Sequence, residues 1–182
     1  GAANYLVALS SDHGVAEMPE HVEGAGRQSM LAIRTAIEAT IKAPLGGEGP
    51  YIAAHSGAEI YFKPGVYDRV KADPAILTAI RTAVGAMSGV DRVITSDEVS
   101  TPAARASKDK YIRAVALSYF PGRSGDLFVI PKENWLFTST GTTHGTLYSY
   151  DQRVPVLLYG AGIRAGSRGD AATPADLAVT VA

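Results

Sequence analysis

Apolar residues run without alternation through Tyr5-Leu6-Val7-Ala8-Leu9, and again through Val154-Pro155-Val156-Leu157-Leu158-Tyr159-Gly160. Short runs of this kind, bounded by turn residues, predict strands buried on both faces, the type found in parallel sheets covered by helices. Pro155 lies near the start of the second run, where no ladder donor is needed. Between these runs the spacing becomes helical. Met30, Ile33, Ile37 and Ile41 fall at steps of three and four and predict a helix over 27–42, stopped by Pro44 and Gly46-Gly47. Asp73-Pro74 opens a second helix, with an aspartate cap and a proline in the first turn; Ile76, Ile80, Val84 and Met87 form its stripe and Gly89 ends it. Residues 58–63 predict a strand closed by Pro64-Gly65, and 90–94 another. The stretches 111–119 and 126–130, joined by Pro121-Gly122-Arg123-Ser124-Gly125, read as a hairpin.

Strand, helix, strand and hairpin within 51–137 predict a small α+β lobe inserted into a larger sheet. The organisation expected is a main-sheet segment over 1–50, the lobe over 51–137, and a return to the main sheet over 138–182. The fold class is α/β, with part of a parallel three-layer sheet. Gly1-Ala2-Ala3-Asn4 leads almost at once into a strand, and a helix-like stretch runs from Pro174 to Ala182. Both ends look cut through structure, so the expectation is a piece of a larger domain.

At 182 residues the chain can bury one sizeable core, or a core plus a lobe, and 46% apolar with 19% charged residues is ordinary globular composition. A net charge of -1 without a long basic run gives no reason to expect a nucleic acid polymer or an anionic membrane surface as partner. No apolar stretch is long enough to span a bilayer. Cysteine is absent, which excludes disulfides, thiolate metal ligands and a cysteine nucleophile.

The candidate chemistry begins where the first apolar run stops, at Ser10-Ser11-Asp12-His13-Gly14. Neighbouring side chains within a strand point to opposite faces, so Asp12 and His13 can converge only past its end, in a turn for which Gly14 offers backbone freedom. The crevice outside the carboxyl ends of strands is where open α/β sheets bind ligands. Carboxylate oxygen with imidazole nitrogen suits zinc. The alternative is an Asx-type turn beside a surface histidine. A second candidate is Thr138-Ser139-Thr140-Gly141-Thr142-Thr143-His144-Gly145-Thr146, whose small residues let a backbone fold tightly around a ligand. His21, among acids in a loop, reads as solvated. His55 reads as a loop or half-buried histidine.

Three segments occur in order: Ser11-Asp12-His13-Gly14, Arg123-Ser124-Gly125-Asp126, and Gly141-Thr142-Thr143-His144-Gly145-Thr146-Leu147-Tyr148-Ser149-Tyr150-Asp151-Gln152-Arg153-Val154-Pro155. Together they resemble the carboxyl-terminal part of the alkaline phosphatase superfamily, in the bacterial branch of zinc phosphatases and type I phosphodiesterase or nucleotide pyrophosphatase relatives. In that branch a buried strand ends in Ser-Asp-His-Gly, and a later Gly-Thr-x-His-Gly precedes Tyr-Asp and a Val-Pro strand. Gly160-Ala161-Gly162-Ile163 fits as well. Asp176-Leu177-Ala178-Val179-Thr180-Val181 departs only conservatively from the family's final helix. The resemblance covers essentially the whole chain.

The resemblance implies two zinc ions about 4 Å apart. Asp12 and His13 match ligands of the zinc that activates the nucleophile, and His144 matches a ligand of the zinc facing the leaving group. Asp151 is expected to orient the His144 loop rather than bind metal. Arg123 is expected to tie the lobe's hairpin to the sheet. The family's nucleophile, first metal-binding aspartate and Asp-x-x-x-His pair lie upstream of Ser-Asp-His-Gly, so no catalytic nucleophile is expected in this chain. Neither Thr142 nor Thr143 takes that place in the pattern. The resemblance thus implies a two-zinc hydrolase of small phosphate esters acting through a phospho-enzyme. Activity then belongs to a longer parent, whose missing amino-terminal half is the main partner. A phosphodiesterase of the same superfamily, a non-catalytic binding domain, and a single zinc held by Asp12, His13 and His144 remain as alternatives. Family members are often periplasmic or secreted.

Overall fold

The computed structural model describes residues 4–181. Gly1, Ala2, Ala3 and Ala182, at the ends of the expected first loop and last helix, lie outside the described residues. The first half contains β1 (Leu6–Leu9), β2 (Gly26–Arg27), α1 (Met30–Leu45), β3 (Ile52–Ser56), β4 (Glu59–Phe62), α2 (Val66–Ala72) and α3 (Pro74–Gly85). The second half contains β5 (Val90–Thr95), α4 (Ser96–Val99), α5 (Pro102–Arg105), α6 (Lys110–Ser118), β6 (Leu127–Pro131), β7 (Trp135–Leu136), α7 (Ser149–Gln152), β8 (Leu157–Gly160) and α8 (Ala175–Val181). The fold is mixed α/β.

The core forms around an antiparallel sheet in the order β3-β4-β6-β5. β6 is apolar at every position, and alternation sends Leu127 and Val129 to one face and Phe128 and Ile130 to the other. On the first face α1 and α3 bury Ile33, Ile37, Ile41, Ile76, Ile80 and Val84. On the second, Val99, Ala104, Val115 and Ala116 from α4, α5 and α6 close over the sheet. Helices therefore cover both faces, the three-layer solution for a sheet with two apolar sides.

Several elements differ from their sequence expectation for identifiable reasons. α1 starts three residues later than expected, where the Ser29 hydroxyl accepts from Ala32 N at 3.3 Å, and it carries Pro44 in its last turn before Gly46 ends it at φ 64°. Residues 111–118 belong to helix α6, with Tyr119 just past its end, and not to a hairpin strand. Asp109 caps it, accepting from Tyr111 N at 2.8 Å and Ile112 N at 3.2 Å, and Ile112, Val115, Ala116 and Tyr119 form the packed side. Aromatic and β-branched residues there imitate strand composition, but the cap and the three-four spacing decide. His55 lies on β3, exposed and opposite Ile60, in a hairpin turned at Gly57. α3 ends at Gly85, so Met87 packs from the turn that follows.

The largest difference is at the two apolar runs. β1 and β8 pair with each other antiparallel, with Val7 opposite Tyr159 and Leu9 opposite Leu157, instead of joining a parallel sheet. Opposite residues share a face. Tyr5, Val7, Leu9, Leu157 and Tyr159 are all exposed, so this ribbon is not buried on both sides in the described residues. An unalternating run specifies that both faces are apolar; it specifies neither strand direction nor what lies over them. Among the described residues no helix is long and apolar enough to cross a membrane.

Candidate metal site at the Asp12–His13 turn and the His144 loop

Antiparallel pairing of β1 with β8 sets the end of β1 beside the residues that precede β8, and so brings residues 12–16 against 142–153. Gly14 N donates to the Asp151 carbonyl at 2.8 Å, and Ala16 N donates to the Thr143 carbonyl at 3.2 Å. The Thr142 hydroxyl donates to the Ala16 carbonyl. These bonds place the imidazoles of His13 and His144 face to face, with ring centroids 3.4 Å apart and planes 12° from parallel. Residues 131 positions apart in the chain thereby share one spot. Thr142 serves here as a structural donor.

Gly14 is required by space and not by backbone freedom. Its φ lies outside the left-handed region, but a β-carbon on it would sit 1.9 Å from the Tyr150 carbonyl oxygen.

Asp12 and His13 converge as the turn reading expects. The Asp12 carboxylate is 85% exposed, and its Oδ1 lies 3.7 Å from His13 Nε2. His13 Nδ1 is 2.7 Å from the Gly14 carbonyl oxygen. A carbonyl can only accept, so the proton sits on Nδ1 and the Nε2 lone pair faces Asp12. Zinc–ligand bonds of about 2.0–2.1 Å at tetrahedral angles put neighbouring donor atoms about 3.4 Å apart. The Asp12–His13 pair therefore fits two corners of a zinc site. Among the described residues no three His, Asp or Glu side chains cluster well enough to hold a metal, so Asp12, His13 and His144 do not form a single three-ligand site.

Asp151, on α7, is only 5% exposed. Its Oδ2 accepts from Thr146 N at 2.7 Å and from the Thr146 hydroxyl at 2.6 Å, which fixes the chain two residues beyond His144. Tyr148 anchors the same loop to the sheet by donating its hydroxyl to the Pro131 carbonyl at 2.9 Å. Burial pushes the phenols of Tyr148 and Tyr150 up, so both stay protonated donors well into the alkaline range.

Sequence reasoning missed Arg27. It sits on β2 and not in α1, and its guanidinium bonds the Thr138 carbonyl at 3.2 Å and the Gly141 carbonyl at 2.7 Å, clamping the loop before His144. Glu20 holds it from behind, at 2.6 and 2.8 Å. Glu20 stands seven positions before Arg27, and no local spacing rule links them. Arg123, expected to tie the lobe to the sheet, is exposed and lies 5.9 Å from the Phe120 ring. Its neighbour Asp126 does that work, accepting from Phe62 N at 2.8 Å while its backbone bonds Ile60 and Ser96. His21 is exposed on a short 3-10 turn, and His55 lies 3.3 Å from Arg34; neither joins the site.

The hydrogen bond from Arg27 holds the Glu20 carboxyl well below its ordinary 4.5, at about 2. A carboxylate depressed in the folded state stabilises above its unfolded pKa and loses that contribution as pH falls through the folded one. The clamp is therefore complete above about pH 4.5 and releases toward pH 2. The single tryptophan, Trp135, reports on it, since β7 pairs with Gly26 and Arg27 and its indole donates to the Gly24 carbonyl. Trp135 fluorescence should change across this window, and Arg27→Met should remove that part of the change. Identical acid profiles for the two proteins would contradict the clamp.

The chain is similar to known alkaline phosphatases over most or all of its length. The chain is 29% identical over its whole length to alkaline phosphatase PafA of Elizabethkingia meningoseptica, covering 34% of that protein. It is 24% identical to alkaline phosphatase PhoV of Synechococcus elongatus, again over its whole length and 33% of the relative. Alkaline phosphatase PhoK of a Sphingomonas species matches 88% of the chain at 28% identity, over 31% of its own length. The crystal structure of wild-type PafA superposes with a TM-score of 0.72 at 27% identity, covering 92% of this chain and 32% of that one. The chain is similar to the carboxyl-terminal part of alkaline phosphatase superfamily members. No family model matches it. It spans about a third of the length of the curated superfamily members it resembles. The superfamily fold accounts for the small sheets, which form part of a larger architecture in the solved relative.

Proposed function

We propose that this chain supplies part of the two-zinc centre of a phosphate-ester hydrolase, with Asp12 and His13 serving one zinc and His144 the other. The observation that carries this reading is the stacking of His13 on His144 at 3.4 Å by two turns from opposite ends of the chain. A fold has little reason to bring two half-exposed imidazoles together unless their nitrogens share a task. Bound zinc supplies positive charge opposite the attacking and departing oxygens of an in-line displacement at phosphorus. The residues of this chain supply the orientation. The Gly14 carbonyl holds the His13 tautomer, Asp12 faces its free nitrogen, and Arg27, Thr142 and Asp151 fix the His144 loop.

The nucleophile and the remaining ligands belong, in this reading, to polypeptide outside the chain. The exposed apolar face of the β1–β8 ribbon is a suitable seat for it, since a two-stranded ribbon gains independent stability only from further packing. The substrate is a small phosphorylated molecule, and the alkaline phosphatase relatives favour a monoester. A periplasmic or extracellular site of action fits the same relatives. The test is zinc content by elemental analysis, together with hydrolysis of nitrophenyl phosphate by the polypeptide extended to the length of its relatives. Loss of hydrolysis with a partial fall in zinc content is expected on replacing Asp12 or His144 by alanine. Normal hydrolysis by the double variant would overturn the assignment.

A further inference from the structure

Asp151 does more than a tether requires. Its Oδ2 takes both donors of Thr146, while Oδ1 is buried and has no hydrogen-bond partner. A buried acceptor without a donor costs stability, and a tether alone would not need a second oxygen. Seven residues before Asp151, the exposed His144 ring makes no hydrogen bond among the described residues, whereas His13 already gives its Nδ1 proton to the Gly14 carbonyl. A histidine that ligates metal ordinarily gives its remaining N–H to a carboxylate or carbonyl.

We propose that Asp151 is a positioning residue for the metal centre, whose free oxygen Oδ1 receives the ring N–H of His144 when that histidine ligates zinc. The proposal rests on the two-zinc reading. The Asp151 backbone joins the two turns by accepting from Gly14 N, and its side chain then sets the tautomer of the second imidazole as Gly14 sets that of the first. Each histidine thus has its own acceptor.

The test titrates Zn²⁺ into the polypeptide extended to the length of its relatives and into its Asp151→Asn and Thr146→Val variants, following the ring signals of His13 and His144 by nitrogen-edited NMR. Asparagine keeps the shape and can keep the Thr146 tether, but it then sets an NH₂ donor where Oδ1 stood. Asp151→Asn should melt with the same cooperativity yet bind zinc about 10–100-fold more weakly, with a changed His144 tautomer in the loaded state. Thr146→Val removes one tether donor and leaves Oδ1, so it should lower thermal stability with far less effect on zinc. Equal zinc affinity of Asp151→Asn and the unaltered chain would overturn the role of Asp151 while leaving the zinc reading in place. Equal weakening by both variants would reduce Asp151 to a tether and overturn the proposal as well. No response of either imidazole in the unaltered extended polypeptide would overturn the two-zinc reading, and this inference with it.

Discussion

Gly14→Ala should part the two halves of the site while leaving the core intact. The added carbon would meet the Tyr150 carbonyl oxygen at 1.9 Å, the Tyr150 carbonyl carbon at 3.0 Å and the Arg153 carbonyl oxygen at 3.2 Å. All three atoms are backbone, so no side chain can swing aside, and the turns must separate by about an ångström to restore ordinary contact. Separation stretches the Gly14 N to Asp151 O bond and unstacks His13 from His144. A displacement of about 1 Å at a catalytic constellation costs about 100-fold in rate, and that loss is expected in hydrolysis by the longer polypeptide. The thermal cost should be about 1–3 kcal/mol, as for other overpacked sites, because the buried residues of the four-stranded sheet lie elsewhere. The direct measurement is the contact between the His13 and His144 ring protons by NMR. Its persistence in Gly14→Ala, with unchanged zinc binding, would show that the close approach does not set the site.

Asp12→Ala and His144→Ala should be more damaging to chemistry and nearly silent in stability. Both side chains are exposed, so truncation removes little packing; the Asp12 carboxylate is 85% accessible. On the two-zinc proposal, each removes one ligand from a different cation. Lewis-acid stabilisation of a phosphoryl transition state is worth several kcal/mol, so a loss of about a thousandfold is expected from either change. In that proposal the two cations act on one transition state, so the double variant should be little worse than either single variant, as for groups that work as a unit. Zinc content separates the roles, each variant retaining more metal than the double. Two independent multiplicative losses, or unchanged hydrolysis, would argue against a shared centre.

The sequence carried the chemistry and the helices by local rules. Asp12 and His13 were legible because adjacent residues past a strand end can meet, and His144 because it stands in a loop of glycines and small hydroxyls. The stripe through Ile33, Ile37 and Ile41 and the Asp73-Pro74 cap needed only spacing and capping to be read. The misreadings were equally local. Residues 111–119 have the composition of a strand, and the Asp109 cap that makes them a helix carries little weight in composition.

What the sequence could not supply are the relations between distant segments. Arg27 reaches Thr138 and Gly141 across more than a hundred residues, and Gly14 matters because Tyr150 comes close, not because of its own φ. The antiparallel direction of β1 against β8 is of the same kind, since apolar runs are symmetric under reversal. Sequence alone determined which side chains carry the donor atoms that the zinc proposal uses, because donor chemistry belongs to the side chain itself. Tertiary structure decided that His13 and His144 meet and that Asp151 is buried where its backbone bonds Gly14 and its side chain bonds Thr146, because only a folded backbone closes loops of that length.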